Sequence, residues 1–118
     1  MIKLFHILED ERGMIYKISA DKDYWLSYTK RGFARGGDIH DGCQFNAILK
    51  GKFLVKMMYP DGEVKRLLLE GQSIVIPNDI PHMFIALEDS YMIEWHDHKL
   101  PPYEKKRFYE PYRRLCRK

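Results

Sequence analysis

Asp38, His40, Gln44 and His82 are the residues of this sequence whose types and spacing suit chemistry. In an extended chain, side chains two apart share a face, so Asp38 and His40 can enter one cavity. The Asp41-Gly42-Cys43 turn then reverses the chain, and Gln44, Asn46 and Ile48 alternate on the returning strand. A second unit, Gly71–His82, can bring another imidazole to the same place from 42 positions away. Two kinds of chemistry follow from such a set. An imidazole, with an unperturbed pKa of about 6.5, moves protons at neutral pH when a carboxylate orients it. Alternatively, two ring nitrogens, a carboxylate and an amide oxygen can hold a divalent ion such as Fe, Mn, Ni or Zn, with positions left for substrate. His96 and His98 form another His-x-His after Trp95, outside both units, and are expected at the surface. His6 lies in an apolar edge run and reads as structural.

The elements that must position these groups are short strands. Apolar and β-branched runs recur from residue 2 to Trp95, about ten in all, punctuated by Gly, Pro and Asp turns. Phe33–His40 and Gln44–Lys50 flank the first turn, and Phe53–Tyr59 follows Gly51 with Phe53, Val55, Met57 and Tyr59 on one face. Pro60-Asp61-Gly62 is the clearest reversal, since proline presets φ and glycine accepts a left-handed position. With no long helical pattern before residue 100, the spacing argues for an all-β sandwich or barrel. Past Pro101-Pro102 the texture changes. Tyr103–Leu115 puts Phe108, Tyr112 and Leu115 at helical spacing, with Pro111 kinking or restarting the helix, so a short C-terminal helix is expected on the barrel's outside.

Composition bounds the function. At 118 residues, 45% apolar and 14% aromatic, the chain reads as a single globular domain spanning 1–118, able to bury a core without staples. No apolar run approaches the ~20 residues of a membrane span, and no signal-peptide pattern opens the sequence, so a cytoplasmic protein with no membrane partner is expected. The net charge of +3 sits mainly in the tail, where seven Lys or Arg face Glu104 and Glu110. A nucleic-acid binder usually spreads such residues along a face with aromatics between them, so no nucleic-acid partner is expected. Cys43 and Cys116 make no disulfide framework and no metal motif, and Cys43 reads as a spectator thiol.

The two units resemble the paired motifs of the cupin superfamily. Gly32, Asp38-Ile39-His40, Gln44 and Gly51 stand at the intervals of the first motif (32–51), with Asp for its first His and Gln for its Glu. Gly71, Pro77, Asp79 and His82 stand at those of the second (71–86), with Asp79 for a Gly and Ala86 for an Asn. The resemblance implies an all-β jelly-roll barrel carrying the short helical tail (103–118). Asp10-Glu11-Arg12-Gly13, Arg35-Gly36-Gly37-Asp38-Ile39-His40 and Tyr109-Glu110-Pro111-Tyr112-Arg113 resemble the nucleotide-sugar branch, with its deoxysugar ketoisomerases, rhamnose-pathway epimerases and cupin domains of capsule enzymes. This implies isomerase or epimerase chemistry on a nucleotide-linked keto-sugar, with no cofactor required. His40 would be the base, Asp38 its support or a second base, and His82 or Tyr59 the acid. Arg35 would clamp the diphosphate, with Gln44 and Asn46 also binding substrate. Asp38, His40, Gln44 and His82 as a metal set, or a sugar-binding barrel without catalysis, are the alternatives. A homodimer is expected, since pairing covers strand edges.

Overall fold

Alternation decides which face of each strand turns inward, and it runs through the middle of the chain. The computed structural model describes residues 1–98 and 107–116. Within β6 (Gln44–Lys50), Gln44, Asn46 and Ile48 are buried, and within β7 (Lys52–Tyr59), Phe53, Val55 and Met57 are buried. Tyr59, the fourth of that face, is half-buried and packs on the same core.

The other strands are β1 (Lys3–Asp10), β2 (Gly13–Ser19), β3 (Asp23–Thr29), β4 (Ala34–Gly36), β5 (Asp38–Ile39), β8 (Gly62–Leu69), β9 (Ser73–Ile76), β10 (His82–Ala86), β11 (Ser90–His96) and β12 (Arg107–Phe108). All pair antiparallel. One sheet runs β1-β2-β3-β11-β6-β9, a second β4-β10-β7-β8, and β12 pairs with β5 alone. Ile48, Phe53, Val55, Ile74, Ile76, Phe84 and Met92 fill the space between the two larger sheets. Each such side chain contributes about 1.5–3 kcal/mol by leaving water. This is the expected all-β jelly-roll architecture with one short C-terminal helix. Among the described residues, no helix is long and apolar enough to cross a membrane.

Two details differ from the sequence reading. The segment Phe33–His40 is not one strand: it leaves β4 at Gly36 and Gly37 and resumes as β5, so that β4 pairs with β10 and β5 with β12. Gly37 has φ +83°, and a Cβ there would strike the backbone of Arg113. The tail helix, α1 (Glu110–Cys116), buries Tyr112 and Cys116, whereas Phe108 lies before it in β12 and Leu115 is exposed. Pro111 explains the shift, because proline is tolerated in a first helical turn and starts α1 after Phe108. Tyr112 and Cys116 join Ala34 and Met83 in a second, smaller core on the outer face of the four-stranded sheet. Residues 103–106 and 117–118 of the expected tail lie outside the described residues.

Candidate functional site

His82 opens β10 opposite Met57 and is buried. Its Nδ1–H donates to the Ile80 carbonyl at 3.0 Å, which fixes the tautomer and leaves Nε2 as a lone pair. Burial pushes its pKa down to about 4, only partly offset by the Ile80 hydrogen bond, so the ring is neutral at neutral pH. The His40 ring lies 5.6 Å from it, centroid to centroid. The two histidines expected to converge therefore do. The second motif's turn also holds the first: Asp79 N–H donates to the His40 carbonyl at 2.9 Å. Asp79 does so at φ 65°, a left-handed position where the motif has Gly and where Asp is among the tolerated residues.

The rest of the cluster comes from β11. Met92, Glu94 and His96 alternate along it, and its pairing with β3 and β6 turns that face inward. His96 Nε2–H donates to Glu94 Oε2 at 2.8 Å. The other Glu94 oxygen accepts from Gln44 Nε2 at 3.1 Å and Asn46 Nδ2 at 3.2 Å. Burial pushes the Glu94 carboxyl up, but the hydrogen bonds and the facing imidazoles outweigh it and hold the group below its ordinary value. It is an ionised carboxylate in a fixed bracket of amides and imidazole.

His96 and His98, expected at the surface, are not there: the His96 side chain is 2% exposed and that of His98 18%. The His40 ring lies 4.9 Å from that of His96 and 5.7 Å from that of His98. His98 Nδ1–H donates to Asp97 Oδ1 at 3.2 Å, and the same oxygen accepts the Cys43 N–H at 2.8 Å. Gly42 leaves room for this, since a Cβ there would fall on the His98 ring. Among the described residues, His40, His96 and His98 form the one group of three acidic, Cys or His side chains whose ligand atoms lie within 4.8 Å of one another. His96 Nδ1 is buried with no hydrogen-bond partner, as suits a nitrogen held ready for a ligand.

Beside the cluster lies a cavity of about 250 Å³. His82, Glu94 and Gln44 line it together with Trp25, Asp38 and three arginines, Arg12, Arg35 and Arg113. Arg35 is buried, with Nε donating to Thr29 Oγ1 at 2.9 Å and Nη2 to the Tyr28 carbonyl at 3.1 Å. Burial lowers its pKa to about 10, which leaves it a cation at neutral pH. Arg12 pairs with Asp10 at 2.7 Å and reaches the Cys116 carbonyl at 2.9 Å. Arg113 donates from α1 to the Gly36 carbonyl at 3.0 Å and pairs with Asp38 at 3.4 Å, while its Nε is buried without a partner. The cavity lining thus combines three guanidinium groups with an imidazole and a carboxylate.

Of the residues singled out in the sequence, His40 and His82 meet, and Asp38, Gln44, His82 and Arg35 line the cavity. The Asp38 carboxylate is engaged by Arg113. Asn46 stands behind Gln44, accepting its amide N–H at 2.8 Å. Tyr59 lies two residues past Met57, the partner of His82, but packs on the main core and is not among the residues lining the cavity. The sequence reading did not select Glu94, His96, His98, Arg12 or Arg113. The available signal was Glu94-x-His96-x-His98: three polar side chains at period two, continuing the face that begins at Ser90 and Met92.

The chain folds as a cupin. No family model and no curated protein matches the sequence. Among solved structures it superposes on the capsular polysaccharide assembling protein CapF of Staphylococcus aureus with a TM-score of 0.75 at 15% identity, over 90% of this chain and 31% of that one. CapF with the inhibitor 3-isopropenyl-tropolone gives 0.74 at 16%, over 86% and 32%. An oxalate decarboxylase of Bacillus subtilis, OxdC with residues 162–163 deleted, gives 0.71 at 18%, over 82% and 29%. At these identities the likeness is one of fold, and the chain spans about a third of the length of these neighbours.

Proposed function

We propose that the protein binds an anionic, carbonyl-bearing sugar derivative, a nucleotide-linked keto-sugar, and moves a proton at the carbon next to the carbonyl. The observation that carries this reading is that Arg12, Arg35 and Arg113 line the same cavity as Glu94 and His82. Planar guanidinium groups suit a diphosphate, and Trp25 offers a sugar ring an apolar face. Abstraction of a proton α to a carbonyl needs a base and a second group to return it. Glu94, ionised and held by Gln44, Asn46 and His96, is the base in this reading, and neutral His82, backed by His40, carries the proton onward. Asp38 orients Arg113 rather than acting as a second base. Sugar chemistry is also what the likeness to CapF, a capsular polysaccharide assembling protein, would favour. The partner in this reading is a second copy of the chain. β1, the edge of the six-stranded sheet, exposes Leu4, Phe5 and Ile7, a surface that pairing would cover.

The test is incubation with dTDP- and UDP-linked 4-keto-6-deoxysugars in D₂O. Deuterium should enter at carbons adjacent to the carbonyl. Glu94→Gln should lower that exchange by about 10²-fold or more while nucleotide binding persists. Binding without any exchange in the native protein would leave a sugar-binding barrel without catalysis, and no binding would remove the substrate class.

A further inference from the structure

The four residues that stand at motif spacing are not the ones whose ligand atoms gather most tightly. We propose that His40, His96 and His98 form a binding site for one borderline divalent transition ion of the zinc class. Three observations converge on it. First, the three side chains bring ring nitrogens within 4.8 Å of one another. An equilateral triangle of that side has its corners about 2.8 Å from its centre, against about 2.1 Å for a zinc–imidazole bond, so small ring rotations close the site. Second, a histidine that binds a metal through one nitrogen characteristically donates its other N–H to a carboxylate or carbonyl. His96 does so to Glu94 at 2.8 Å and His98 to Asp97 at 3.2 Å. Third, the His96 nitrogen left over, Nδ1, is buried and has no partner, although a buried polar atom without one is costly.

Three imidazole ligands favour Zn²⁺, Ni²⁺, Cu²⁺ or Co²⁺ over Mg²⁺ or Ca²⁺, which take oxygen ligands. Three protein ligands also leave a coordination position open, the pattern of a catalytic rather than a structural zinc site. The Glu94 carboxylate that holds His96 also lines the cavity, so the ion and the cavity share one wall. Two of the three ligands come from the end of β11 and the residues after it, beyond both sequence motifs. The inference does not rest on the proton-transfer reading, because metal binding is measured with the ion alone.

The experiment is titration of the chelator-treated 118-residue chain with ZnCl₂ by calorimetry and with CoCl₂ by visible absorption. One ion per chain is expected. His96→Ala and His98→Ala should each weaken binding by about 100-fold or more, and Glu94→Gln by about 10–100-fold. Asp38→Asn should leave affinity within about threefold, because Asp38 is paired with Arg113. Should His96→Ala fail to fold, His98→Gln carries the test, since its ring lies nearer the surface and its fold is checked by the unfolding temperature without metal. Absence of stoichiometric binding in the native protein overturns the proposal. Loss of binding in Asp38→Asn with His98→Gln unaffected overturns it too, because the motif-spaced residues would then be holding the ion.

Discussion

Gly37→Ala should loosen the C-terminal helix. At Gly37 the backbone has φ +83°, and an added Cβ would sit 2.7 Å from Arg113 Cα and 2.9 Å from Arg113 N. Both are main-chain atoms, so no side-chain rotation relieves the contact. The left-handed conformation costs an alanine about 1–2 kcal/mol. Overpacking against fixed backbone adds about 1–3 kcal/mol. The total has a ceiling, because α1 can detach and give up the burial of Tyr112 and Cys116 and the 2.6 Å hydrogen bond from Tyr112 to Glu63. A loss of about 2–4 kcal/mol is therefore expected in urea unfolding, with faster tryptic cleavage at Arg113 and Arg114. Gly32→Ala is the matched control: its φ is +88°, but nothing lies within 4 Å of its added Cβ, so only the conformational part applies. If Gly37→Ala were no more damaging than Gly32→Ala, the contact between helix and β4–β5 corner would be refuted.

Acid should destabilise the metal-free fold through His82. Its folded pKa is about 4 against about 6.5 unfolded, so between these values the unfolded chain takes up a proton that the folded chain refuses. Stability present above pH ~6.5 should fall by up to about 3 kcal/mol as pH drops toward 4, and His82→Gln should flatten that slope in urea titrations; equal slopes would contradict the burial argument. Tyr112→Phe should cost about 1–2 kcal/mol, and a double-mutant cycle with Glu63→Gln should assign most of it to their shared hydrogen bond. Burial pushes the Cys116 thiol up to about 11, so it should stay protonated at pH 8 and react with a thiol reagent only on unfolding, while half-exposed Cys43 reacts in the native state. Two fast thiols would show the smaller core to be open.

Much of the barrel was legible because burial follows side-chain alternation. Gln44, Asn46 and Ile48 on β6, and Phe53, Val55 and Met57 on β7, turn inward as their spacing implies. The approach of His40 to His82 was legible too, since two turn-bounded units fix where each ring enters. The environment of His96 and His98 was not. Period two says that Glu94, His96 and His98 share a face, but whether it is the inner one depends on β11 lying between β3 and β6, a long-range pairing that no local pattern encodes. The helix face was misjudged for a local reason: Pro111 sets the start of α1, which moves Phe108 out of its register. Nothing around Arg35 in the sequence marks it as buried, and only the fold shows it packed against Thr29.

Two of the cavity's arginines depend on the last helix, for Arg12 reaches across 104 positions to the Cys116 carbonyl and Arg113 projects from the same helical segment. The imidazoles are anchored elsewhere, on β10, on β11 and beside the first turn. Damage to the two therefore separates: a nick or tether that drags on the final helix should displace these arginines first and spare the nitrogen cluster. Partial inactivation would then report where along the chain the injury occurred.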